Sequence, residues 1–89
     1  MNLDLNRMKV EFTKSSKKDF SRLPVYIQNK FLESFIKLEN NQPLDMKRMV
    51  GRGQQYRIRV GGYRAVLEKE KLRWLIHFFG ARGNVYLFF

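Results

Sequence analysis

The chain has no cysteine, which removes a disulfide framework, a thiolate zinc site and a cysteine nucleophile together. It has one histidine, His77, so neither a histidine-cluster metal site nor a pair of histidines sharing acid and base roles can be built. Carboxylates are scarce. Eight Asp and Glu stand in 89 residues, and two of them follow residue 46. No segment is low in complexity and none repeats. No stretch approaches the ~20 apolar residues of a membrane span. The opening MNLDLNRMKVEF lacks the apolar centre of a secretory signal. A soluble, cytoplasmic protein that does not engage a membrane is expected. Residues 1–8 read as a flexible extension ahead of a single domain over 9–89.

What is present in excess is positive charge. Eighteen Lys and Arg give a net charge of +10. The balance suits a polyanionic partner, above all nucleic acid. It is also lopsided: residues 1–46 carry a net +2 and residues 47–89 a net +8. The partner-facing surface is therefore expected in the second half. The hydrophobic fraction of 44% is enough for one small core.

The pattern predicts an α+β domain of order β-α-α-β-β-β. KVEFT (9–13) alternates as a strand. Ser15 and Ser16 offer an N-cap for a short helix, KKDFSRL, ended by Pro24. Ile27, Phe31, Phe35 and Leu38 are spaced by four, four and three, one apolar stripe of a helix over 25–40. The two helices form a hairpin packed on one face of a small, mostly antiparallel sheet. Residues 44–54 read as a basic connector. QYRIRV and YRAVLE flank Gly61-Gly62, a two-residue hairpin turn. Lys69-Glu70 reads as a second turn, KLRWLIHFF as a further strand, Gly80–Asn84 as a break and VYLFF as the closing segment.

The Gly61-Gly62 turn fixes a register. Val60 should pair with Tyr63, Arg59 with Arg64, Ile58 with Ala65 and Arg57 with Val66. Alternation then puts Ile58, Val60, Ala65 and Leu67 against the helices, and Arg57, Arg59 and Arg64 on the other face. Arg59 and Arg64 stand directly opposite each other. Such a like-charge pair is destabilising, by up to about 1 kcal/mol. A fold gains nothing from stacking guanidiniums there, whereas a phosphate backbone would use them. Continuing through a Lys69-Glu70 turn adds Arg73, Leu75, His77 and Phe79 to the basic face, and Trp74, Ile76 and Phe78 to the core. A basic patch with an adjoining aromatic fits single-stranded nucleic acid.

Two segments carry a family resemblance: Tyr56-Arg57-Ile58-Arg59-Val60-Gly61-Gly62-Tyr63-Arg64-Ala65-Val66-Leu67, and Gly80-Ala81-Arg82-Gly83-Asn84-Val85-Tyr86. With Lys14 or Lys18 near Asp19-Phe20 and then Leu23-Pro24, they resemble the RelE/ParE superfamily of toxins from type II toxin–antitoxin systems, over residues 9–89. In the RelE branch the resemblance implies an mRNA interferase that enters the ribosomal A site. There the 2′-hydroxyl attacks the neighbouring phosphate without a metal or other cofactor. It implies that Arg64 and Arg82 stabilise the charge developing on the phosphate, that Arg57 and Arg59 hold the RNA backbone, and that Tyr86 stacks on a base or moves a proton. Arg73 and His77 extend the RNA-binding face.

This chain has arginine where some members have lysine at 57 and 59, and alanine where many have histidine at 81. Those departures leave His77 and Tyr86 as candidate bases. A ParE-like toxin that binds and inhibits DNA gyrase, and a non-catalytic nucleic-acid-binding domain, stay open as alternatives. Either toxin reading implies an acidic, partly helical antitoxin segment as partner and a monomeric free toxin.

Overall fold

The structure, a computed structural model, describes residues 8–51 and 53–81. Its elements run β1 (Lys9–Phe12), α1 (Lys14–Ser21), α2 (Val25–Glu39), β2 (Met46–Arg48), β3 (Gln55–Val60), β4 (Tyr63–Lys69) and β5 (Arg73–Ala81). The expected α+β order is present with one strand added. The five strands form one sheet in the order β1-β5-β4-β3-β2. β1 runs parallel to β5 and the other three pairings are antiparallel. No helix among the described residues is long and apolar enough to cross a membrane.

Helix α1 starts one turn earlier than Ser15 and Ser16 predict. Thr13 has extended backbone, ψ 166°, and its Oγ1 accepts from the Ser16 N–H at 3.1 Å. Both serines are already helical, and Ser16 is fully buried. Pro24 caps α2 through its carbonyl, which accepts from Ile27 and Gln28 at 2.9 and 3.0 Å. The Gln28 amide then donates back to the Phe20 and Leu23 carbonyls, at 3.0 and 3.1 Å. Carbonyls where α1 ends thus accept from a side chain of α2, which ties the helical hairpin together. The stripe Ile27, Phe31, Phe35 and Leu38 is buried, as its spacing requires.

The β3–β4 register is the one the two glycines impose, with Val60 opposite Tyr63 and Arg59 opposite Arg64. Gly61 has φ +56°, the left-handed conformation this turn needs. Past Lys69 the sequence reading departs from the structure in four places. First, β4 runs through Lys69, and residues 70–72 form the loop, with the Glu70 N–H bonded to the Arg73 carbonyl at 2.9 Å. Second, Leu67 pairs with Ile76 but Val66 pairs with Phe78, so His77 is an extra residue, a β-bulge. Third, the bulge reverses the alternation beyond it. Phe79, expected on the basic face, is 3% exposed in the core, whereas Phe78, expected in the core, packs on the other face with Val66 and Met49. Fourth, Gly80 and Ala81 continue β5 instead of breaking it. Residues 82–89, including VYLFF, lie outside the described residues.

Phe79 joins the two layers. Its ring centroid lies 5.1 to 6.2 Å from those of Phe12, Phe20, Phe31 and Phe35. Met8, partly buried, also packs against this core.

Both flanks of the β1 side are closed by carboxylates. The Val10 N–H, at the sheet edge, donates to Glu39 Oε2 of α2 at 2.7 Å. Where β1 ends and α1 replaces it, the Phe79 N–H points to Asp19 Oδ2 at 3.4 Å. Truncating Glu39 is expected to be measurable. Glu39→Ala should lower stability by about 1 kcal/mol. Glu39→Gln, which keeps an acceptor, should cost less than half of that. Urea unfolding midpoints at constant slope check both.

Candidate nucleic-acid interface

The face opposite the helices is built by alternation. Strand β3 places Gln55, Arg57 and Arg59 on it, and β4 places Arg64, Val66 and Glu68. Strand β2 adds a residue the sequence reading missed. Lys47 is the cross-strand neighbour of Arg57. Two same-sign pairs, Lys47 with Arg57 and Arg59 with Arg64, therefore stand side by side on one sheet face. The signal for Lys47 was the alternation in Leu44-Asp45-Met46-Lys47, short enough to pass for a connector.

The predicted basic residues fall into two groups. Arg59 Nε donates to Asp45 Oδ2 at 3.0 Å. Arg73 donates to Glu70 Oε1 at 2.6 Å and to Glu11 Oε1 at 2.9 Å. Hydrogen bonds from Glu11, then Glu70, hold the Arg73 guanidinium above its ordinary pKa. His77 Nε2 lies 2.9 Å from Glu68 Oε1. Each of these three is already engaged with a carboxylate.

Arg64 and Arg57 differ. Arg64 is 7% exposed, and its Nε and Nη1 are buried without a hydrogen-bond partner. Arg57 has a buried Nη1 in the same condition. An unpaired buried donor on a charged group costs several kcal/mol unless something from outside accepts from it. Gly80 sits opposite Arg64 and has no side chain. Beside it, Met49 from the loop after β2 and Phe78 from the bulged strand cover Val66, which is fully buried. The arginine therefore sits beside a dry apolar patch, where its field on an anion is stronger than in water.

Arg82 and Tyr86, the other two predicted catalytic residues, lie outside the described residues. Among the described residues no group of three His, Asp or Glu side chains is placed to hold a metal ion.

A family model described as the ParE toxin of the type II toxin–antitoxin system parDE matches residues 10–84. The chain belongs to this toxin family.

Solved structures place the toxin in the wider RelE/ParE superfamily. It is similar to the toxin of the RelB–RelE antitoxin–toxin complex from Methanococcus jannaschii: 28% identity, 88% of this chain and 96% of that one, TM-score 0.75. The RelE–RelB complex from Pyrococcus horikoshii matches at 25% identity, over 89% of this chain and 99% of that one, with TM-score 0.70. The isolated Escherichia coli RelE toxin shares the fold at 14% identity, TM-score 0.75, over 91% and 90% of the two chains. No curated protein sequence matches the toxin.

Proposed function

We propose that this toxin is a ribosome-dependent endoribonuclease that cleaves mRNA in the A site and so inhibits translation. One observation carries the reading: the buried Arg64 guanidinium, with two unpartnered nitrogens, beside a second unsatisfied guanidinium at Arg57. Fixed donors of this kind suit a phosphate whose non-bridging oxygens gain charge as the adjacent 2′-hydroxyl attacks. The attack forms a 2′,3′-cyclic phosphate and releases the 5′-oxygen of the next nucleotide, which takes up a proton. Arg64 would stabilise that charge together with Arg82. Arg57, with Lys47 beside it, would hold the backbone, and Tyr86 would stack or transfer a proton. Guanidiniums stay protonated, so they do not serve as the base. A ribosomal target sets the action in the cytoplasm. Inhibition of the free toxin would fall to an antitoxin, since the M. jannaschii and P. horikoshii relatives are toxins in complex with theirs.

Primer extension on a defined mRNA in a purified translation system tests the reading. New 5′ ends within A-site codons, lost with Arg64→Ala, are expected. A second reading, a protein that binds and inhibits DNA gyrase, draws on the ParE description of the matching family. Soluble toxin that arrests growth and leaves mRNA whole would favour it and overturn the first.

The two groups of arginines make a further prediction. Arg57→Gln should weaken binding to a fluorescein-labelled single-stranded RNA by about 5- to 10-fold and flatten its salt dependence. Arg73→Gln, which removes a cation already held by Glu70 and Glu11, should change affinity by less than about twofold. Fluorescence anisotropy across a salt series measures both.

A further inference from the structure

The lopsided charge of the sequence hides a second cationic surface. The first half has a net charge of only +2, yet four of its six carboxylates are directed at groups away from the α1 lysines. Glu11 holds Arg73, Asp45 holds Arg59, Glu39 accepts from the Val10 N–H, and Asp19 lies against the Phe79 N–H. Among the described residues no carboxylate forms an ion pair with the lysines of α1.

Lys14, Lys17, Lys18 and Ser21 are spaced by three, four and seven residues, so they share one stripe of α1. The opposite side turns Ser16 and Phe20 inward. The three lysines are exposed, and none makes an ion pair among the described residues. They open on a concavity of about 780 Å³ whose described lining is Thr13, Lys14, Ser15, Lys17, Lys18 and Ser21. Every one of these is a lysine or a hydroxyl residue. A strand of phosphates needs only cations and hydroxyl donors.

We infer that the α1 stripe is a second RNA-backbone contact, separate from the arginine face of the sheet. It rests on the reading of the toxin as RNA-directed, but not on cleavage. The sheet face would hold the reacting strand, and α1 would hold an RNA segment alongside it. Three ammonium groups supply non-specific, salt-sensitive affinity and carry no sequence preference.

The test is anisotropy with a fluorescein-labelled 20-nucleotide single-stranded RNA over a salt series. It compares the full chain with the triple variant K14Q/K17Q/K18Q. Lysine and glutamine have nearly equal helix propensity and the sites are exposed, so the fold should be kept. The double variant K17Q/K18Q replaces the triple one if circular dichroism shows that the triple variant is unfolded. The slope of log K against log salt should fall by about 2 for three lost phosphate contacts. Affinity at 0.1 M salt should drop by about a hundredfold. Poly-L-glutamate is measured in parallel. Unchanged RNA affinity and slope would overturn the inference. So would loss of poly-L-glutamate binding with RNA binding intact, which would assign the stripe to an acidic protein. Arg57→Gln separates this surface from the sheet face. If that variant binds RNA like the parent while the lysine variant does not, the stripe stands and the arginine reading fails.

Discussion

Replacing Arg64 with methionine is expected to raise the melting temperature of the toxin and, on the endoribonuclease reading proposed above, to suppress cleavage of mRNA. The two effects have one cause. Arg64 is buried, its Nε and Nη1 lack partners, and Arg59 faces it across the strand pair. An unsatisfied buried cation is a standing cost to the folded state. An apolar side chain of similar length removes it. Methionine also relieves the repulsion from Arg59 and extends the patch formed by Met49, Val66 and Phe78. The gain should be about 1–2 kcal/mol, or a rise of roughly 5–15 °C for a domain of this size. If Arg64 stabilises the phosphate as proposed, cleavage needs the donors that methionine lacks and should fall by at least 10²- to 10³-fold. Differential scanning calorimetry and primer extension, run on one preparation, read both. A melting temperature that falls with Arg64→Met would mean that the guanidinium is a structural element. The assignment of its free nitrogens to a phosphate would then be lost.

How far the sequence reveals this arrangement depends on how local each feature is. The arginine column is legible because Gly61-Gly62 pins β3 against β4, and period-two alternation does the rest. The α2 stripe is legible for the same reason at period 3.6. Strand β2 is not, because it has three residues, two of them charged. The bulge at His77 is invisible to any count that assumes strict alternation, and it misplaces every side chain beyond it. The burial of Arg64 is not legible either. Its surroundings, Gly80 across the strand pair and the Val66–Phe78–Met49 patch, come together only in the fold. The carboxylates that engage Arg59 and Arg73 come from 14 and 62 residues away. Sequence showed which side chains share the face. Tertiary contacts decide which of them stay free to bind an anion.

Phe79→Ala should be the most destabilising single change in the core. The ring is 3% exposed and touches Phe12, Phe20, Phe31 and Phe35, so it joins the sheet to both helices. Truncating a buried phenylalanine costs about 3–5 kcal/mol. A domain of this length has roughly 5–13 kcal/mol in all. A fall in melting temperature of about 15–30 °C is expected, and expression at 37 °C should suffer. Phe78→Ala is the informative control. Phe78 is half-buried and packs with Met49 and Val66 on the other face, so its loss should cost less than that of the fully buried ring, about 1–2 kcal/mol. Without the bulge the ranking would reverse, because strict alternation puts Phe78 in the core and Phe79 outside. Guanidinium unfolding of the two variants therefore tests the register of β5 directly. If Phe78→Ala proves the costlier change, His77 is not the extra residue. Gly80 then no longer faces Arg64, and the dry patch beside that arginine loses its basis.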